Sequence, residues 1–176
     1  EDFCKTRAHF IHETYEEETN TYFNDVASEF ARIKAIPAGS EVNFWFEDDL
    51  FCQINFWFCV SLLKPVFNSI QAYIIKPAMD ENSPDWRGFG MMDHHLLADA
   101  YQNKLQLSPA DLTLFDSLWT AYQNNDKPAL ATLSANRSDK FPMLKMVVQA
   151  QLDRDINRPL HVLQAIVQEK QTTDFN

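Results

Sequence analysis

The sequence predicts an α/β amino-terminal part, a short parallel sheet built on one β-α-β unit, followed by an all-helical carboxy-terminal part, so that the chain is mostly helical overall. Three observations predict it. Two short β-branched and aromatic runs, over 41–46 and 70–75, are bounded by turn residues and suit strands. Between them the apolar spacing changes to that of a helix of about fourteen residues. Beyond residue 90, apolar residues recur three and four apart in successive segments, each opened by a capping residue or a proline. The division is residues 1–90 as a partial α/β domain and residues 91–176 as a helical array packed on it, together one compact unit. A chain of 176 residues with 45% hydrophobic content is enough for one core of ordinary size.

In order along the chain, 2–15 and 21–36 read as helices. In the second, Tyr22, Val26, Phe30 and Ile33 form one apolar stripe, and Pro37 with Gly39 ends it. The strand over 41–46 leads to Glu47, Asp48 and Asp49, and the period changes at Asp49. Phe51, Ile54, Phe58 and Leu62 make one stripe of the next helix, while Phe56, Cys59, Val60 and Leu63 make another. That helix is therefore apolar nearly all round and is expected to be buried on both faces before Pro65 stops it. A strand over 70–75 closes the β-α-β unit. Residues 76–90 form a long loop, broken by Pro77, Pro84, Gly88 and Gly90. Helices follow over 93–103, from Ser108 through Tyr122, over 126–133, over 141–152 and over 159–169. Two strands alone bury too little face to persist in water, so something must complete the sheet.

Composition removes several function classes. With 3 glycines, neither of the common phosphate-cradling loops is present. A net charge of -10 and no basic run argue against binding a phosphate backbone, so nucleic acid is not an expected partner. Cys4, Cys52 and Cys59 offer no disulfide framework and no C-x-x-C site, and they are expected to act as small buried hydrophobes in a reducing compartment. The longest apolar run, over 54–63, is far shorter than the roughly 18 to 20 residues that cross a bilayer. With no export signal either, the expectation is a cytoplasmic protein without a membrane partner.

The segment W-F-E-D-D-L-F-C-Q, from Trp45 to Gln53, resembles the W-F-E-x-D-L-[FY]-x-Q segment of a bacterial family called domain of unknown function 1835. L-S-P-A-D-L-T-L-F-D-S-L-W-T-A-Y, N-D-K-P-A-L-A-T-L and F-P-M-L-K are similar to its helical half, and the likeness runs in order over residues 3–165. The resemblance implies an amino-terminal strand ahead of Glu1, ending in an N-G-D-type turn, and a small winged-helix element past Asn176. The chain carries neither, so the likeness gives no complete site. The family carries no assigned activity.

The candidate site is the acidic turn, because ligands of open α/β sheets bind beyond the carboxyl ends of the strands. In the functional reading, Glu47 and Asp49 point into that crevice as ligands of a divalent cation or as an acid/base pair. Gln53, four residues after Asp49 on the same helical face, orients the bound group. In the bland reading, Asp48 or Asp49 caps the helix and Glu47 is solvated. Arg7 and Arg87 are the basic residues to watch, either paired with the acidic turn or holding an anionic ligand. Asp93-His94-His95 reads as a cap followed by surface histidines, since consecutive side chains diverge by about 100° on a helix. His9 and His12 lack further ligands.

No serine or cysteine has the setting of a nucleophile. The expected function is an interaction or regulatory module, working through a protein partner or its own dimer without catalysis of its own. The alternative is a metal-dependent enzyme or small-ligand sensor using Glu47, Asp49, Gln53 and Arg7.

Overall fold

A computed structural model describes residues 2–77, 88–135, 140–154 and 158–170. Helix α1 (Phe3–Tyr15) is capped by Asp2, whose carboxylate accepts from Cys4 N at 3.1 Å. It ends where Glu16 turns left-handed, at φ 57°. The second helical stretch is α2 (Thr19–Tyr22), a π turn (Phe23–Ala27) and α3 (Ser28–Lys34) without a break. Tyr22 is buried and Val26, Phe30 and Ile33 are half-buried, so the predicted stripe is the inward face. The π turn was not expected: four-residue spacings fit either winding.

Gly39, at φ 84°, supplies the turn into β1 (Glu41–Trp45) and donates to Ser69 O at 2.6 Å. The crossover is α4 (Leu50–Leu62), followed by a short 3-10 turn at Lys64–Val66 and by β2 (Gln71–Ile75). β1 and β2 are parallel, with Glu41 opposite Gln71 and Trp45 opposite Ile75. This is the predicted β-α-β unit.

Among the described residues of the second half, one segment departs from the wholly helical expectation. Between α5 (His94–Gln102) and α6 (Pro109–Gln123), residues Leu105–Leu107 form β3, antiparallel to β2 with Tyr73 opposite Gln106. The sheet order is β1-β2-β3, so the sheet is mixed and the carboxy-terminal part supplies its third strand. Lys140 secures the junction, donating to Gln106 O and to the Asp111 carboxylate, both at 3.0 Å. Helices α7 (Lys127–Ser134), α8 (Leu144–Arg154) and α9 (Arg158–Lys170) follow. α8 starts later than expected, and Phe141 ahead of it is buried as an anchor.

Strand alternation sends Phe44, Ala72, Ile74 and Leu107 to one face of the sheet, against α4 and α6. Phe56 of α4 is the centre of this core. Its ring lies 5.2 Å from Phe44, 5.5 Å from Phe46 and 4.6 Å from Phe115, which in turn meets Phe141 at 4.7 Å. Trp57, Val60 and Leu63 are equally closed to water. Each such side chain contributes about 1.5–3 kcal/mol of burial. The opposite face carries Glu41, Asn43, Trp45 and Tyr73. There Trp45 stacks with Tyr101 of α5, the ring planes within 6° of parallel. No helix among the described residues is long and apolar enough to cross a membrane.

Candidate functional site

The acidic turn lies where β1 gives way to α4, beside the carboxyl end of the parallel neighbour β2. Its three acids have three different attachments. Asp49 is the N-cap of α4, its Oδ1 accepting from Cys52 N at 3.0 Å. Asp48 pairs with Lys76, just past β2, and both side chains are largely shielded from water. Glu47 reaches across to the backbone at Gly88 and Phe89, where its Oε1 accepts from Phe89 N at 2.7 Å. A Cβ on Gly88 would sit 2.5 Å from Glu47 Oε2, so the missing side chain is what admits the carboxylate.

Gln53 is buried, but it serves the turn rather than a bound group: its Nε2 donates to the Glu47 carbonyl at 2.7 Å. Cys52 joins the acids instead. Ligand atoms of Glu47, Asp49 and Cys52 lie within 4.8 Å of one another. Burial opposes the charge on Asp49, but the Cys52 thiol and the N–H groups of Cys52 and Phe51 outweigh it, holding the carboxyl below its usual range. Burial, with the Asp49 carboxylate as acceptor, pushes the Cys52 thiol up to about 11. At neutral pH Cys52 is thus a thiol and a poor nucleophile. Two carboxylates and a sulfur suit a Zn²⁺-like cation better than Mg²⁺ or Ca²⁺, which favour oxygen alone.

Arg7 does not join this turn. It sits on α1 over a cleft lined by aromatic residues in the middle of α4. Arg87 lies outside the described residues, as does most of the 76–90 loop. Asp93 caps α5, accepting from His95 N and Leu96 N at 2.9 Å, as expected. His94 and His95 are exposed, but their rings do not diverge: the centroids are 4.0 Å apart. His12 Nδ1 is hydrogen-bonded to the Glu17 carbonyl at 3.0 Å, which ties it to the turn after α1. The three cysteines are half-buried and unpaired, rather than fully buried as expected.

An open groove of about 510 Å³ runs between α6 and α7, and Lys64 and Asp116 at its side neutralise each other at 2.6 Å. Sequence reasoning missed Cys52 as a member of the site. The available signal was its i+3 relation to the capping Asp49, which sets both on the first turn of α4.

Comparison with family models, with curated proteins and with solved structures gave no match.

Proposed function

We propose that this protein is an interaction or regulatory module that works through a protein partner or its own dimer, with α9 as the docking helix. One observation carries the reading. Leu160, Val162, Leu163 and Ile166 of α9 are exposed, at 54%, 48%, 48% and 37%, and no described residue of that helix is buried. A helix of this length draws its stability from packing an apolar face, and an uncovered apolar surface marks a contact. The net charge of -10 favours a protein partner over nucleic acid. A bacterial, cytoplasmic setting belongs to the same proposal, supported by the unpaired cysteines and by the likeness of Trp45–Gln53 to domain of unknown function 1835.

The test is hydrogen exchange across α9 at rising protein concentration and in cell lysate, beside a Leu160→Asp, Leu163→Asp variant. Protection that appears with concentration or lysate and is lost in the variant supports the reading. Unprotected α9 amides under every condition would sink it.

A second reading, a cation-responsive sensor or metal-dependent enzyme, has the Glu47, Asp49 and Cys52 cluster behind it. Its discriminating test is a Zn²⁺ titration of thermal stability.

A further inference from the structure

We propose that the cleft beneath Arg7 is a binding site for a small aromatic carboxylate, a single ring bearing one negative charge. The cleft measures about 200 Å³ and lies between α1, α3, α4 and α6. Phe30, Phe58, Trp119 and Tyr122 wall it, and α1 closes it with Phe3 and Arg7. The rings pack on one another along its walls. Phe58 lies 4.9 Å from Phe30 and from Trp119 and 5.5 Å from Phe3, and Trp119 lies 5.8 Å from Tyr122. All four wall residues are half-buried, so their exposed parts form the surface an occupant would cover.

Size selects the occupant first. An apolar cavity of roughly 150 Å³ accepts benzene, and the extra space here fits one carboxylate beyond the ring. Charge selects it second. Arg7 is the one formally charged residue lining the cleft, and among the described residues it has no ion pair or hydrogen bond. The chain carries 25 acidic and 15 basic side chains, yet no carboxylate among the described residues pairs with this guanidinium. Asn55, also at the cleft, already donates its Nδ2 to Phe51 O at 2.9 Å, and the guanidinium fork is the charged donor there. A guanidinium takes a carboxylate through two parallel hydrogen bonds, while aromatic walls stack the ring.

The local backbone supports the same place. α1 leans chiefly on α2 and the π turn, and its ring contact to α4 passes through Phe3 and Phe58. π turns inside helices recur at functional sites, and this one stands directly before the segment that carries Phe30. An occupant would therefore tie α1 to α4 and α6.

The experiment uses the full chain, with the Trp119 indole N–H followed by NMR during titration with benzoate, benzamide and acetate. Benzoate is expected to give a saturable shift below roughly 10 mM. Benzamide, which keeps the ring and loses the charge, and acetate, which keeps the charge and loses the ring, are each expected to bind about tenfold or more weakly. Arg7→Gln is expected to remove the preference for benzoate over benzamide, and Arg7→Lys to restore part of it. Arg7 is exposed, so both variants are expected to keep the wild-type fold, which the remaining amide resonances report. No saturation with benzoate, equal binding of benzamide, equal binding of acetate, or an unchanged preference in Arg7→Gln would each overturn the proposal.

Discussion

Lys104 and Glu41, 63 residues apart in the chain, meet at 2.5 Å across the outer face of the sheet. The ammonium also lies 4.3 Å from the Tyr73 ring centroid and 4.5 Å from that of Tyr101, and it donates to Asn43 Oδ1 at 3.2 Å. One cation thus joins β1, β2 and the end of α5. Its hydrogen bond, followed by that of Asn43, holds the Glu41 carboxyl below its ordinary value of 4.5, and the same contact raises Lys104 above 10.5. A depressed carboxyl stabilises the fold above its unfolded pKa, and the gain is lost as pH falls through the folded value. A raised amine stabilises the fold below its unfolded pKa, and the gain is lost as pH rises through the folded value. Thermal midpoints of the wild type are therefore expected to fall more steeply below pH 4.5 and above pH 10.5 than those of Lys104→Met. Parallel curves would show that the pair does not couple to folding.

The seat of Glu47 on the Gly88 backbone makes a second prediction. Gly88→Ala puts a methyl where the carboxylate lies and breaks its bond to Phe89 N, a loss of about 1 kcal/mol. In a Glu47→Ala background the same substitution is expected to cost close to nothing, because the conflict is gone. A double-mutant cycle by denaturant unfolding reads the difference directly.

Tyr22 is 2% exposed, and its hydroxyl has no hydrogen-bond partner among the described residues. A buried hydroxyl without a partner opposes folding by about 1–3 kcal/mol. Tyr22→Phe keeps the ring and removes the hydroxyl, so it is expected to stabilise the protein by about 1 kcal/mol in urea unfolding. A loss of stability would mean that the hydroxyl is satisfied in solution.

Two phenylalanines of α4 five residues apart should behave oppositely. Phe56 is fully buried at the centre of the core, and Phe51 is 78% exposed on the first turn. Phe56→Ala is expected to cost about 3–5 kcal/mol, a large part of the roughly 5–15 kcal/mol that holds a domain folded. Phe51→Ala is expected to stay within about 0.5 kcal/mol of the wild type. Circular dichroism melts of the two variants check both.

For the acidic turn, Zn²⁺ is expected to raise the thermal midpoint of the wild type if the cluster is a cation site, and not that of Glu47→Gln or Cys52→Ser. Coordination must displace the Cys52 proton, whose pKa stands at about 11, so the rise should grow with pH between 6 and 8. An equal rise in all three proteins would assign the ion elsewhere, and no rise would leave the acids as cap, ion pair and loop anchor.

The β-α-β unit was legible because its signals are local. The period changes at Asp49, which caps α4, and the turn residues fall where the strands end. β3 was not legible, since Leu105, Gln106 and Leu107 between a helix end and the Ser108 cap read as a connection, and only pairing with β2 makes them a strand. The acidic turn followed from the strand-end rule, and Glu47, Asp49 and Gln53 are close in space because they are close in sequence. Where Glu47 is anchored was hidden, because Phe89 returns to it from 42 residues away. The place of Arg7 at the cleft beside Phe30 and Phe58 was hidden for the same kind of reason: the position of α1 on the body is a tertiary choice that no periodicity encodes.

The origin of β3 has a consequence for synthesis. Ribosomes release the chain from its amino terminus, and the strand that completes the sheet emerges only with residues 105–107. Until α6 follows, Phe56 and its neighbours on α4 have no Phe115 to meet, although both strands flanking α4 are already outside the tunnel. Cells short of the chaperones that shield nascent apolar segments should therefore lose this protein to aggregation during translation, while the finished chain, once released, survives in the same cells.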